Sequence, residues 1–331
     1  MCDIVILIHE GKKGYQLMIL AGDIGGTKSH LAVYQGNQCL YEEKYLSINF
    51  NSLSDLVKQF LSTRTEKISF ACFGIAGPVR DGECHATNLP WVLKASELSK
   101  ELNIGQVFLI NDLEANAWGL RALSAEEFLV LNEGKTVHGH AALIAAGTGL
   151  GEAGIYWDGK KRHPFACEGG HVDFAPRNEL EMELLRYLHK RFGHVSYERV
   201  LSGPGLHNLY RFLVEMRLES EEDFTLDPRV ITERALAGTS RACTRALDWF
   251  ISLYASEAGN LALKLLAVGG VYLGGGIVPK ILPFFKADEF MKAFTAKGRF
   301  APLLADIPVR VILNDNTALL GALEYAKEMR T

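Results

Sequence analysis

Ala145-Ala146-Gly147-Thr148-Gly149-Leu150-Gly151 lies near the middle of the 331-residue chain, and the fold turns on how it is read. The apolar run Ala141-Ala142-Leu143-Ile144 leads into it as a buried strand leads into a turn. A glycine at every second position lets the backbone approach a ligand closely. With Gly154 added, Gly149, Gly151 and Gly154 also spell G-x-G-x-x-G, the dinucleotide fingerprint. That reading needs a helix to begin inside the motif, with the pyrophosphate at its N-terminus. Here Ala153-Gly154-Ile155-Tyr156-Trp157 is strand-like and Asp158-Gly159 is a hairpin turn signal. The stretch therefore reads as strand, glycine turn, returning strand. A near match to the P-loop across Gly154–Lys161 straddles the same hairpin and lacks the Ser or Thr that holds magnesium.

The start of the chain repeats this pattern. Leu20-Ala21-Gly22-Asp23-Ile24-Gly25-Gly26-Thr27 lies over Ile144 to Gly151, each a strand followed by a glycine turn. Each continues into a second apolar strand, Leu31–Tyr34 or Ala153–Trp157, and then a tight turn at Gly36 or Asp158-Gly159. Two such hairpins, each opening a half, point to an internally duplicated α/β architecture.

Between them the pattern predicts a strand over Cys39–Ser47 and an amphipathic helix over Ser52–Leu61 with Ser52 as N-cap. A strand over Ile68–Phe73 follows, broken at Gly74-Ile75-Ala76-Gly77-Pro78, then a short helix near Ser96–Leu102. The strand Val107–Ile110 ends at Asn111-Asp112 and enters a helix over Leu113–Leu123. The second half adds helices over Glu179–Arg191, Gly205–Met216 and Thr239–Leu266. It closes with the strand Val271–Leu273, its exit Gly274-Gly275-Gly276, the strand Val309–Leu313 and the helix Thr317–Met329. No low-complexity linker interrupts the chain.

A net charge of -4 is too mild to mark a nucleic-acid or membrane surface partner. No stretch reaches the roughly 18 apolar residues of a membrane span. Cys2, Cys39, Cys72, Cys84, Cys167 and Cys243 are scattered, which favours free thiols in a reducing cytoplasm over disulfides or a thiolate zinc site. Ile4-Val5-Ile6-Leu7-Ile8 lacks the flanks of a signal peptide. Met18 opens the next apolar run, so residues 1–17 read as an N-terminal extension, either dispensable or upstream of the true start.

The residues that carry chemistry are few. The two glycine turns offer backbone N–H groups as phosphate nests, with Thr27 and Thr148 as hydroxyl donors. Asp23 is placed to hold magnesium, directly or through water. Asp112 closes a buried strand, where open α/β sheets bind ligands, and can accept a hydroxyl proton as general base. It is equally at home as part of an ordinary helix start. Glu168-Gly169-Gly170-His171 and Ser196-Tyr197-Glu198-Arg199 set polar groups among apolar and glycine residues, a pattern suited to a polyol. His163, Cys167 and His171 have the spacing of ligands on one helix face. Pro164 and Gly169-Gly170 argue against that helix, so no zinc site is expected.

With these motifs assembled, the chain resembles the bacterial ATP-dependent glucokinases that lack the zinc motif, within the sugar-kinase/actin/heat-shock ATPase superfamily. The resemblance runs from about Met18 to the last helix. It is carried by Asp23–Thr27, Gly74–Pro78, Ile110–Asp112, Ala146–Gly151, Glu168–Pro176, Glu198–Gly205 and Gly274–Pro279. It implies a duplicated ribonuclease-H-like (actin-like ATPase) fold, two α/β domains around a cleft. The smaller is expected over residues 18–121 plus 314–331 and the larger over 122–313. It further implies D-glucose and ATP as substrates, magnesium as cofactor, phosphorylation of the glucose 6-hydroxyl and a homodimer.

By the same resemblance Asp112 is the base, and Asn88, Asn111, Glu168, His171 and Glu198 are sugar ligands beside it. Asp23, Gly25, Gly26, Thr27, Gly147, Thr148, Gly149 and Gly151 hold ATP phosphates, and Gly274, Gly275 and Gly276 pass beside the adenosine. The related repressor/open-reading-frame/kinase group carries a zinc-binding cysteine cluster after its Glu-x-Gly-His motif, whereas Val172–Arg177 has none. Lys28 stands where some relatives have asparagine.

Three rival readings follow from the same residues. A kinase for mannose or fructose would share the constellation. A sugar-responsive transcription regulator needs a helix-turn-helix domain, for which the residues before Met18 leave no room. An actin-like assembly protein would not need Asp112, Glu168, His171 and Glu198 together.

Overall fold

A computed structural model describes residues 17–330 apart from 88, 221, 222 and 224. The expectation for residues 1–17 therefore lies, save for Leu17, outside the described residues, as does that for Asn88. The chain divides into two compact units, Met1–Ile110 with Tyr325–Thr331, and Asn111–Glu324.

The first unit holds strands β1 (Met18–Ile24), β2 (Lys28–Gln35), β3 (Gln38–Leu46) and β4 (Phe70–Ile75). A small antiparallel sheet follows, β5 (Val79–Arg80), β6 (Glu83–His85) and β7 (Val92–Lys94). Strand β8 (Gln106–Asn111) completes a main sheet ordered β3-β2-β1-β4-β8. Helices α1 (Leu53–Leu61) and α2 (Ala95–Leu102) accompany it. Ser52 caps α1, its Oγ accepting from Asp55 N–H at 3.0 Å, and Leu56, Val57 and Phe60 are fully buried in one core with Leu20, Leu31 and Phe73. Strand β4 runs on through Gly74 and Ile75, which pair with Asp23 and Ile24 of β1. The expected break therefore falls two residues later, because ladder pairing with a buried neighbour holds the glycine extended.

The second unit contains α3 (Asp112–Gly119), β9 (Phe128–Asn132), β10 (Ala141–Ala146), β11 (Leu150–Trp157) and β12 (Arg162–Cys167). Helices α4 (Glu179–Phe192), α5 (Gly203–Glu215), α6 (Pro228–Leu236) and α7 (Arg241–Leu265) come next. Then follow β13 (Val271–Gly274), α8 (Ala287–Thr295), α9 (Ala301–Ala305), β14 (Val309–Ile312) and most of α10 (Thr317–Met329). The sheet order is β12-β11-β10-β13-β14-β9.

Both main sheets begin in the same way. An antiparallel three-strand meander, β1-β2-β3 or β10-β11-β12, pairs through its first strand in parallel with the next, β4 or β13. The mirrored order 3-2-1-4-5 recurs as β3-β2-β1-β4-β8 and β12-β11-β10-β13-β14. Gly154 lies inside β11, paired with Ala142 and Phe165, so no helix starts at the G-x-G-x-x-G spelling. The following turn is held by Asp158, whose Oδ1 accepts from both Lys160 and Lys161 N–H at 2.7 Å.

The two compact units divide at Ile110/Asn111 and Glu324/Tyr325. Packing is the reason. Ala117 of α3, with Leu113 and Leu120, shares a core with Leu143, Ala153 and Ile155 of β10 and β11. Helices α3 and α10 cross closely at glycines: a Cβ on Gly321 would lie 1.6 Å from the Ala115 carbonyl oxygen, and one on Gly119 2.0 Å from that of Thr317. Helix α3 also stops at Gly119, short of the expected Leu123.

Candidate active site

The second unit gathers its chemistry around the turn between β10 and β11. That turn closes on itself, Gly147 N–H donating to the Gly149 carbonyl at 2.8 Å. It is also tied to the start of α5, since Gly203 N–H donates to the Gly147 carbonyl at 2.9 Å. Thr148 is exposed at its tip. The exit of β13 docks on the same place. Gly275, at φ +87°, lies where a Cβ would meet the Ala146 carbonyl oxygen at 2.2 Å, and Ile277 N–H donates to that oxygen. Only glycine satisfies both the backbone angle and the close approach. Gly147–Gly151 and Gly274–Gly276 are thus neighbouring stretches of backbone, with Gly275 and Gly276 exposed.

Asn111 and Asp112 reach this turn through α3. Asn111 is buried and caps the helix, its Oδ1 accepting from Leu113 N–H at 2.9 Å and Glu114 N–H at 3.3 Å. Asp112 is the first helical residue, with Oδ1 accepting from Leu113 N–H at 3.0 Å and its carbonyl accepting from Asn116 Nδ2. The start of α3 sets the partial positive charge of a helix N-terminus beside this carboxylate. A Cβ on Gly151 would lie 2.4 Å from Leu113 Cδ2, so the third glycine of the turn exists to let the α3 start sit against it.

Glu198 is bound into the same cluster. Its Oε2 accepts from Leu150 N–H at 3.0 Å, and a Cβ on Gly149 would lie 2.4 Å from that oxygen. Ser202 fixes the Glu198 backbone, its Oγ donating to the Glu198 carbonyl at 2.7 Å while accepting from Gly205 N–H. The exposed Glu168 opens the one-turn helix Gly169–His171, with His171 N–H donating to its carbonyl. A Cβ on Gly170 would lie 2.0 Å from the Leu150 carbonyl oxygen. The segment after His171 then bridges to that of Glu198. Tyr197 N–H donates to the Val172 carbonyl, and Phe174 N–H to that of Val195. The start of α3, Glu198, the Glu168–His171 turn and both glycine stretches of this unit therefore pack on one strand-turn-strand. His163 pairs with Asp158 at 2.7 Å and Cys167 Sγ donates to the Glu152 carbonyl, both from the extended strand β12 and not from a helix face.

In the first unit, Asp23 lies near the end of β1, opposite His30 and Gly74. Gly25 N–H donates to the Lys28 carbonyl at 3.0 Å, and Ser47 closes the loop by donating from Oγ to the Gly25 carbonyl and from N–H to the Thr27 carbonyl. Burial pushes the Asp23 carboxyl up to about 6, with Lys44 opposing the rise. A desolvated carboxylate of this kind gains most from a cation. Among the described residues no three His, Cys, Asp or Glu side chains gather to hold a metal. A single hard oxygen donor fits magnesium, which fills its shell with phosphate oxygens and water.

Three features escaped the sequence patterns. Ser47, which holds the first glycine turn through a hydrogen bond to Gly25, carries no motif signal, and the role of Ser202 in fixing the Glu198 backbone is not spelled by the motif it sits in. Glu152, a fully buried carboxylate inside β11, does carry a signal: it is a charged residue at an inward position of an otherwise apolar strand.

A glycine turn packed against a helix-start aspartate, two further carboxylates and a histidine has the makings of a phosphoryl-transfer site for a hydroxylated substrate. Comparison with known proteins agrees. The Glucokinase family model matches residues 20–329. The glucokinase of Nostoc sp. (strain PCC 7120 / SAG 25.82 / UTEX 2576) is 42% identical over 336 residues, covering 92% of this chain and 97% of that protein. The crystal structure of a glucokinase from an Antarctic psychrotroph superposes with a TM-score of 0.84 at 31% identity, covering 94% of this chain and 99% of its own. A ROK family glucokinase from Streptomyces griseus, solved in complex with glucose and AMPPNP, shares the fold at a TM-score of 0.64 and 19% identity, covering 94% and 99%. The chain belongs to the glucokinase family. Among the described residues no helix is long and apolar enough to cross a membrane.

Proposed function

We propose that the chain transfers the γ-phosphoryl group of ATP to the 6-hydroxyl of D-glucose, giving glucose 6-phosphate and ADP. The observation that carries this reading is the packing of the α3 start that bears Asp112, of Glu198 and of the Glu168–His171 turn on the glycine loop between β10 and β11. Asp112 takes the proton of the 6-hydroxyl as that oxygen attacks the γ-phosphorus in line with the departing ADP. Glu168 and Glu198 accept hydrogen bonds from sugar hydroxyls, and His171 and Asn111 complete the ring of polar contacts. Asn88 enters by resemblance alone.

Gly147, Thr148, Gly149 and Gly151 offer N–H groups and a hydroxyl to the phosphates, and Gly274–Gly276 supply flat backbone for the adenosine. The first unit's turn, Asp23 with Gly25, Gly26 and Thr27, serves the phosphates in the same manner. Asp23 would hold magnesium, which when bound offsets charge on the phosphoryl oxygens. The repeated strand order of the two sheets supports a duplicated ribonuclease-H-like fold for the chain. A cytoplasmic location accords with the free thiols of Cys39 and Cys167. A homodimer completes the reading on resemblance.

The test is a coupled ADP assay over a panel of hexoses, with the phosphorylated product identified. Glucose should give the highest kcat/KM and yield the 6-phosphate; a clear preference for mannose or fructose would replace the substrate while leaving the chemistry in place.

A further inference from the structure

Glu152 lies directly beneath the Glu168–His171 turn. It is 1% exposed, and its Oε1 has no hydrogen-bond partner among the described residues. A Cβ on Gly169 would lie 1.9 Å from Glu152 Oε2 and 2.6 Å from its Cδ. Gly169 has no positive φ, so its backbone conformation is one any residue adopts. What requires a glycine at 169 is the Glu152 carboxyl group pressed against it.

The groups around this carboxyl are few. Helix α7 presents Glu257, Lys264 and Tyr254, and the end of β12 presents Cys167 and Glu168. Strand β10 offers only Ile144 opposite. Lys264 is engaged by Glu257, donating to its Oε1 at 3.0 Å, and Asn260 Nδ2 donates to its Oε2 at 2.7 Å. Tyr254 donates to the Ile144 carbonyl at 2.7 Å. Among the described residues no side chain hydrogen-bonds Glu152 Oε1, and the nearest cation, Lys264, is already paired with Glu257. Burial therefore pushes its carboxyl up to about 7, with the Glu257 carboxylate adding to the rise and Lys264 opposing it.

From this geometry we infer that Glu152 is a positioning residue for sugar binding, which packed on Gly169 holds Glu168 and His171 where the sugar meets them. The inference rests on the reading of Glu168 and His171 as sugar ligands. Ionising Glu152 places an unpaired carboxylate beside the Lys264-paired Glu257 and under the turn, and the turn yields because it is the exposed side of the contact. Glucose binding therefore weakens as the pH passes upward through the Glu152 transition, while the phosphate loops are unaffected.

The experiment is steady-state kinetics from pH 6 to 9 on the wild type, E152Q, E152A, G169A, G169A/E152A and E168Q, with thermal unfolding measured for each. The wild-type KM for glucose should rise about tenfold or less across this range, and E152Q, neutral at every pH, should lose that rise with kcat unchanged. G169A should raise the glucose KM by about tenfold with the KM for ATP little changed, and E152A in that background should recover most of the loss. An E152Q profile identical to the wild type, additive effects of G169A and E152A, or changes in unfolding temperature alone would overturn the assignment. E168Q separates the two levels. If it raises the glucose KM while the Glu152 tests fail, only the positioning role falls; if it does not, the sugar-ligand reading fails and the positioning role with it.

Discussion

Gly149 offers a direct probe of the cluster, because a single methyl group there acts on Glu198. Position 149 has no positive φ, so alanine strains no backbone angle. Its Cβ would stand 2.4 Å from Glu198 Oε2, and ordinary contact requires the carboxylate to retreat by about 1 Å. The bond from Leu150 N–H, now 3.0 Å, would then stretch past hydrogen-bonding range. A hydrogen bond to a charged group is worth roughly 1.5–3 kcal/mol, which is about tenfold to a hundredfold in an equilibrium constant. Gly149→Ala should therefore weaken glucose binding by about that factor, measured by calorimetry without nucleotide and by the glucose KM in the coupled assay. In a Glu198→Ala background the same substitution should cost little further, since the clash is gone. A glucose affinity within twofold of the wild type for Gly149→Ala, or full additivity with Glu198→Ala, would refute the coupling between the glycine loop and the sugar carboxylate.

Two further outcomes follow from other parts of the molecule. The Asp23 carboxyl, raised to about 6, is neutral below that pH and ionised above it, so kcat/KM for MgATP should fall as the pH drops through about 6. Raising free magnesium should shift that fall to lower pH, and Asp23→Asn should abolish it with activity low throughout; a wild-type profile flat down to pH 5 would contradict it. Gly321→Ala would drive a Cβ to 1.6 Å from the Ala115 carbonyl oxygen and force α10 off α3. It should destabilise the second unit by about 1–3 kcal/mol, read as a lower Tm, and an unchanged Tm would contradict the close crossing.

How much of this was legible in the sequence depends on the range of the interaction. The paired hairpins show because they are local: apolar strand, glycine turn, apolar strand, with β1-β2 and β10-β11 falling where the pattern puts them. Helix α1 shows through its cap and its buried stripe. The small sheet β5-β6-β7 does not, because strands of two and three residues leave too short a pattern. The packing of α3 against α10 is hidden too, because it rests on Gly119 and Gly321, contacts made across about 200 residues of chain.

The site divides along the same line. Asp112, Glu168 and Glu198 stand out as polar residues in apolar or glycine-rich settings. The purposes of the neighbouring glycines are invisible in sequence, since each answers a distant side chain: Gly151 to Leu113, Gly149 to Glu198 and Gly169 to Glu152. The motif spelling reports that these positions are glycine, and only the folded chain reports what they make room for.

In the proposed reaction Asp112 takes the proton from the sugar hydroxyl. The most direct measurement is the turnover of Asp112→Asn with saturating glucose and MgATP, alongside its glucose affinity. The amide keeps the size and the helix-start hydrogen bond but cannot accept the proton, so kcat should fall by about 10²- to 10⁴-fold while glucose binding stays measurable. A folded Asp112→Asn protein that turns over glucose at a near-normal rate would contradict the account.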